Sequence, residues 1–214
     1  IIMHIPTIYS EEYSGQEVFE MTKEKSHHLF NVLRSRNGST VYISNGKGLL
    51  AEGVIQEPNN VLIHTVYEKK RKKDINFFLS KLDSVTRMRF SIEKLSELGV
   101  SSITVGSTIR SGKKKYDTNK LKSWGVAALE QSGSAFLPII YQVEKLDYLK
   151  FDQCIDINGK SVFKEDSVGN FAIGPEGGWD SSELVQFKEV YSLGSQVLRS
   201  ETAAIVAATL LLGA

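Results

Sequence analysis

The sequence predicts a small β-rich N-terminal domain followed by a mostly parallel α/β domain. Three observations carry this. Residues 1–67 hold short runs of β-formers separated by turn signals. Residues 68–74, EKKRKKD, are polar, charged and free of apolar anchors. From residue 75 onward, short apolar runs alternate with stretches at helical spacing, the pattern of a parallel sheet with crossover helices. The expected division is a β-barrel over 1–68, a basic linker over 69–74 and an α/β domain over 75–214.

In the first part, VYIS (41–44) and LLAEGVIQ (49–56) flank NGKG (45–48), and Asn45-Gly46 is a strong hairpin signal. EPNN (57–60) reads as the next turn, leading into VLIHTVY (61–67). Short strands joined by such turns suggest a small barrel. SHHLFNVL (26–33) interrupts them as a short helix, with Ser26 placed as its N-cap. In the second part INFFLSKL (75–82) is a buried strand. TRMRFSIEKLSELG (86–99) sets Met88, Ile92, Leu95 and Leu98 at helical spacing, and Gly99 is a natural C-cap. SSITVG is a strand, and LKSWGVAALEQSG (121–133) is a helix with Leu121, Trp124 and Ala128 on one side. FDQCIDIN (151–158) and NFAIG (170–174) are strands; SSELVQFKEVYSLG (181–194) and ETAAIVAATLLL (201–212) are helices.

The bulk composition, 41% hydrophobic and 24% charged over 214 residues, is that of a globular chain with enough length for a sizeable core. The lone Cys154 has no disulfide partner, which points to a reducing, cytoplasmic home. The first residues lack a basic region followed by an apolar one, so no signal peptide is expected. The longest apolar stretch, AAIVAATLLLGA, is about half of a membrane span and reads as a buried helix. A net charge of +1 does not decide for or against a nucleic-acid partner, but two basic runs stand out, KKRKK (69–73) and KKK (113–115). The first is either a solvated linker or a phosphate contact. The second falls in an expected loop after a strand, where function concentrates.

Two segments carry the chemistry. In FAIGPEGGWDSSE (171–183) an apolar run stops at Gly174-Pro175-Glu176-Gly177-Gly178, and Asp180 with Glu183 forms a capping box for the helix beyond it. Ligands of parallel α/β sheets bind beyond the carboxyl ends of strands, where this loop would lie. In SLGSQVLRSETAA (192–204), Leu193-Gly194 would close one helix, while Arg199, Glu201 and Thr202 gather at the start of the next. Free N–H donors and the helix dipole suit Glu201 there. Arg199 either faces a cleft or pairs with Glu201 on the surface, a contact worth little. Other signals fail. NGKS (158–161) would need a glycine where Cys154 stands to be a phosphate-binding loop. His4, His27 and His28 lack spaced partners for zinc, so no metal is expected.

GPEGG-W-D-x-x-E followed by LG-x-x-x-LR-x-ETAA resembles the signature of the bacterial 16S ribosomal RNA uridine-N3 methyltransferases, members of the trefoil-knotted (SPOUT) class. HHLFNVLR (27–34) with Gly38, SELGV (96–100), Ser107 with Arg110-Ser111, and EQSG (130–133) with Pro138 fall in the same family order, so the resemblance spans nearly the whole chain. It implies a PUA-like RNA-binding barrel, a knotted C-terminal domain that holds S-adenosylmethionine, and a homodimer acting on 16S rRNA of the small subunit. One wall of the cofactor pocket would be Gly174, Pro175, Glu176, Gly177 and Gly178. A second would be Leu193, Gly194, Leu198 and Thr202, and a third Ile157 and Asn158. Arg199 and Glu201 would be catalytic: the cation stabilises the uridine N3 anion and the carboxylate orients it or accepts a proton. Arg34, Arg110, Lys113, Lys114 and Gln131 would contact RNA.

The chain departs from the family at two places. It reads Met3-His4-Ile5-Pro6-Thr7 where the family carries M-R-x-P-R, and Ser134 stands where an arginine is usual. Both changes remove phosphate contacts, for which KKRKK and KKK could compensate. Two other functions fit such a chain: a knotted ribose 2′-O-methyltransferase, and a non-catalytic ribosome-assembly factor with a vestigial pocket.

Overall fold

The computed structural model describes residues 5–160, 163–164 and 167–213. Met3, His4 and Ser161 of the motifs above lie outside them. The chain forms two compact units, residues 1–71 with 126–137, and residues 72–125 with 138–214.

The first unit is built on a five-stranded sheet. Its strands are β1 (Thr7–Tyr9), β2 (Val18–Glu20), β3 (Thr40–Ser44), β4 (Leu49–Gln56) and β5 (Asn60–Glu68), in the order β1-β3-β4-β5-β2. Only β1–β3 is parallel, and β1 and β2 are not paired to each other, so hydrogen bonding leaves the barrel open. The Asn45-Gly46 turn forms as expected. Asn45 Oδ1 accepts from the amides of Lys47 and Leu49, which holds the β3–β4 hairpin. Inward residues of alternate positions, Val41, Ile43, Ala51, Ile55 and Val61, are fully buried with Phe19, Met21 and Leu29. The helix between β2 and β3 starts earlier than expected. Thr22, not Ser26, caps α1 (Lys23–His27), accepting from the Lys25 amide, and a π-helical turn follows over His28–Val32. Ser26 instead donates to the Pro58 carbonyl.

The second unit contains β6 (Ile75–Ser80), α2 (Val85–Leu98), β7 (Ser102–Ser107), β8 (Ile139–Lys145), β9 (Gln153–Ile155), β10 (Gly169–Ile173), α4 (Ser181–Leu184), β11 (Glu189–Tyr191) and α5 (Ser200–Leu212); α3 (Thr118–Ser132) ends in the first unit. Its six strands run in the order β11-β9-β10-β6-β7-β8, and every pairing is parallel. The chain builds outward through β6, β7 and β8, then crosses to the other side for β9 to β11. The carboxyl ends of β9, β10 and β11 are thus neighbours, and the loops leaving them converge.

The helical spacing of α2 holds: Met88, Ile92 and Leu95 have no exposed surface, and Gly99 closes the helix at φ 87°. α5 packs on α2, β6 and β10 through Ala204, Ala207, Ala208 and Leu211. Small alanines let it sit close to the sheet. Among the described residues no helix is long and apolar enough to cross a membrane.

SSELVQFKEVYSLG is not one helix. It gives a four-residue α4, a turn, and then β11, which pairs with β9. Phe187 decides this: it leaves the helix to pack edge-on against Trp179 and Tyr148, with ring centroids 4.9 and 5.2 Å away. Leu193-Gly194 accordingly follows a strand and does not close a helix. The basic run 69–73 is also not a bare solvated linker. The Arg71 guanidinium lies over the Phe136 ring at 4.5 Å and donates to the Leu137 carbonyl, and Lys73 Nζ donates to the Leu211 carbonyl at 2.6 Å.

Candidate active site

A cavity of about 450 Å³ opens where the three loops converge. It is lined by residues 155–157 after β9, 173–179 after β10, and 193, 194 and 196–200 after β11, with Arg87 of α2 and Ala203 of α5. Of the expected cofactor residues, Ile157, Gly174, Pro175, Glu176, Gly177, Gly178, Leu193, Gly194 and Leu198 line it together. Asn158 and Thr202 do not; Thr202 is exposed on α5. Arg199 lines the cavity, and Glu201 lies behind it, almost fully buried.

Gly174 and Gly178 of the β10 loop have distinct local reasons. A Cβ at Gly174 would come within 2.9 Å of the Trp179 indole, whose Nε1 donates to the Ile155 carbonyl at 2.9 Å. Gly174 therefore lets the indole staple the β10 loop to the end of β9. Gly178 adopts φ 69°, the left-handed region glycine favours, while a Cβ at Gly177 would make only ordinary contact with Arg110 Cβ at 3.4 Å. Ser200 Oγ donates to the Gly174 carbonyl at 2.9 Å and ties the start of α5 to the same loop.

The loop's far end is fixed by Asp180 and Glu183. The capping box is present: Asp180 accepts from the Ser182 amide, and the Asp180 amide donates to Glu183 Oε2 at 3.1 Å. Glu183 is buried and also accepts from the Ile109 amide and the Tyr148 hydroxyl, each at 3.0 Å. Burial, followed by the bond to Glu183, pushes the Tyr148 hydroxyl far above its ordinary value. The Ser182 hydroxyl and amide hold the Asp180 carboxyl below its usual range, aided by Arg110.

Sequence reasoning missed Arg87. From the first turn of α2 it grips Glu201 with two nitrogens, Nε to Oε1 at 2.8 Å and Nη2 to Oε2, and its Nη1 pairs with Glu176. One arginine thus joins the β10 loop to α5 across the mouth of the cavity. Burial works to raise the Glu201 carboxyl. The Arg87 hydrogen bonds and charge, with a smaller contribution from Arg199, outweigh it and hold the group below its ordinary value. The bond to Glu201 raises the Arg87 guanidinium correspondingly. A signal existed: a cation in a helix's first turn opposes the dipole, so an arginine there needs a carboxylate partner elsewhere. With Glu201 committed to Arg87, Arg199 is exposed, and its guanidinium makes no hydrogen bond or ion pair with the described residues.

The expected RNA contacts are dispersed. Arg34 is exposed at φ 54°, Gln131 is exposed, and the Lys113 and Lys114 side chains point from a loop whose amides are held by Asp83 Oδ1. Arg110 is engaged within the β10 loop: it donates to the Gly177 and Trp179 carbonyls and pairs with Asp180. Among the described residues no group of three or more His, Cys, Asp or Glu is placed to hold a metal ion.

Loops at the carboxyl ends of a parallel sheet, a glycine-rich wall and a mixed-charge mouth define a small-molecule site within a two-part chain. Residues 69–212 match the RNA methyltransferase domain family and residues 22–64 the RNA methyltransferase PUA domain family. The chain belongs to the RNA methyltransferase family. Its fold is the expected one, an N-terminal PUA-like β-rich domain followed by an α/β RNA methyltransferase domain. It is 29% identical over 206 residues to ribosomal RNA small subunit methyltransferase E 2 of Borreliella burgdorferi, 84% of each chain, and 25% identical to methyltransferase E of Bacillus subtilis, over 88% of this chain and 87% of that one. Among solved structures it is similar to the Neisseria gonorrhoeae small subunit methyltransferase E bound to S-adenosylmethionine, with TM-score 0.83, 24% identity and 96% of each chain covered. It is also similar to a putative Legionella pneumophila methyltransferase in complex with the same cofactor, with TM-score 0.81, 26% identity, and 99% and 98% covered.

The cavity fits that cofactor on its own terms. The amides of Ile157, Gly177 and Leu198 on three different walls have no partner among the described residues, which leaves donors for the edge of a purine and for a carboxylate. Its volume lies within the usual range for small-molecule sites.

Proposed function

We propose that this chain is an S-adenosylmethionine-dependent methyltransferase that modifies N3 of a specific uridine in 16S rRNA of the small ribosomal subunit. It would act as a cytoplasmic homodimer. Residues 1–68 would form the RNA-binding domain, 69–74 a basic linker and 75–214 the catalytic domain. The observation that carries the reading is the cavity after β9, β10 and β11, which gathers Ile157, Gly174 to Gly178, Leu193, Gly194 and Leu198, residues the sequence resemblance assigns to the cofactor.

When bound, S-adenosylmethionine supplies a methyl group already activated as a sulfonium, so the protein's part is positioning and charge. The β9 and β11 loops and the Gly174–Gly178 turn would hold the cofactor through backbone groups. Uridine N3 would lose its proton to solvent water at the rim to become a nucleophile, Arg199 there would stabilise the resulting anion, and transfer of the methyl from sulfur to N3 would leave S-adenosylhomocysteine, a neutral thioether, as the departing group. Glu201 is ionised and held by Arg87. That makes it a poor proton acceptor at neutral pH, and its place is to set the field behind Arg199. N3 lies on the pairing edge, so the uridine must be unpaired or extruded first. Arg34, Lys113, Lys114 and Gln131 would grip the flanking RNA.

The test is methylation of purified small subunits with mapping of the product. A methyl that blocks base pairing at one uridine supports the reading; a ribose 2′-O-methyl overturns the N3 assignment. Arg199→Ala should lower turnover at least tenfold while cofactor affinity stays within about twofold. Equal loss of both would remove Arg199 from catalysis.

A further inference from the structure

We infer that Arg110 is a positioning residue for the cofactor turn and not an RNA contact. The inference rests on the proposal that the cavity after β10 binds S-adenosylmethionine. Arg110 stands in the loop after β7, a different strand from the one that carries the turn. Its Nη1 donates to the Gly177 and Trp179 carbonyls, both at 3.3 Å, and its Nη2 pairs with Asp180 Oδ2 at 3.0 Å. Its aliphatic stem runs beside Gly177, where a Cβ would meet it in ordinary contact at 3.4 Å.

These contacts act on the part of the turn with least support of its own. The turn is fixed at its start by Trp179 on Ile155 and by Ser200 on Gly174, and beyond it by the Asp180–Glu183 box. Between those anchors its only backbone–backbone bond among the described residues is from the Gly178 amide to the Pro175 carbonyl at 3.0 Å. Arg110 draws the Gly177 and Trp179 carbonyls outward toward the β7 loop. Those bonds hold the Gly177–Gly178 and Trp179–Asp180 peptide planes, and the first of these carries the Gly178 amide that closes the turn on Pro175 beside the cavity. Glu183 reinforces the link by accepting from the neighbouring Ile109 amide, so the β7 loop is held at two adjacent residues.

A guanidinium with three bonds inside the turn has few donors left for phosphate. Its side chain is 49% exposed, so the ion pair to Asp180 alone contributes little. The bonds to two carbonyls of the turn are what an alanine would forfeit.

The test compares Arg110→Ala, Arg110→Lys and the unchanged protein in three readouts: calorimetric affinity for S-adenosylmethionine, affinity for purified small subunits without cofactor, and KM for the cofactor against kcat. Arg110→Ala should weaken cofactor binding about tenfold and raise its KM similarly, with kcat at saturating cofactor and subunit affinity within about twofold. Arg110→Lys, which keeps the charge and one donor direction, should recover part of the affinity. Loss of subunit affinity with cofactor affinity intact, or equal loss of both, overturns the inference. Failure of the unchanged protein to bind the cofactor, alone or with subunits, overturns the underlying site reading instead.

Discussion

Replacing Arg87 with alanine would leave the Glu201 carboxylate buried beside the cavity without its partner. Glu201 is only 8% exposed, and Arg87 gives it two hydrogen bonds as well as the charge. Removing one member of such a buried pair costs about 3–5 kcal/mol. The cavity admits water to one side of this pair, so about 3 kcal/mol is the appropriate end of the range. Glu176, about half exposed, adds little when its share of Arg87 is lost. For a chain of this size about 3 kcal/mol corresponds to a fall of about 6–12 °C in Tm. The pH dependence identifies the cause. With Arg87 present, the folded Glu201 carboxyl lies below its ordinary 4.5, so its contribution is complete above that value and is lost as pH falls through the lowered one. Without Arg87, burial alone raises the group, and ionised Glu201 destabilises the folded chain until it is protonated. The gap in Tm should therefore be widest near pH 7 and narrow as the pH drops through and below 4.5. Calorimetric melts of both proteins from pH 4 to 8 measure it, and adding Glu201→Gln to Arg87→Ala should restore part of the loss. A variant that melts within about 1 °C of the parent at pH 7, or a gap that does not change with pH, would refute the reasoning.

Gly174→Ala should displace the Trp179 indole, break its bond to Ile155 and lower Tm by several degrees, about 1–3 kcal/mol by melting; no change would mean that the indole does not staple the loop. Tyr148→Phe should cost about 1 kcal/mol in denaturant titration by leaving Glu183 one donor short, and a neutral result would mean Glu183 is satisfied by its two amide donors alone. Lys113→Ala with Lys114→Ala should weaken small-subunit binding and reduce the slope of log affinity on log salt by about 1–2, while an unchanged slope would remove that loop from the RNA contact.

Much of the site was legible because its signals are local. The Gly174–Gly178 turn, the Asp180–Glu183 box and the Asn45-Gly46 hairpin each need only a few adjacent residues, and each forms. The helix faces of Met88, Ile92 and Leu95, and of Leu121, Trp124 and Ala128, followed from spacing and are buried. What local signals do not contain is the choice between competing long-range partners. SSELVQFKEVYSLG has helical spacing, but Phe187 gains more against Trp179 and Tyr148, and Val190 gains a place beside β9. Arg87 and Glu201 meet across 114 residues, and nothing near either one names the other. Arg110 looked like an RNA contact because a cation in a loop beside KKK usually faces solvent. The carbonyls that take its donors become available only once the β10 turn is folded.

The most direct test of the cofactor site is calorimetric titration of the purified protein with S-adenosylmethionine, repeated with Gly177→Leu. Saturable binding at one site per chain is expected, lost or strongly weakened when a leucine side chain is added beside Arg110 on the turn that lines the cavity. Absence of binding both in the free protein and with small subunits present, or binding that Gly177→Leu leaves unchanged, would contradict it.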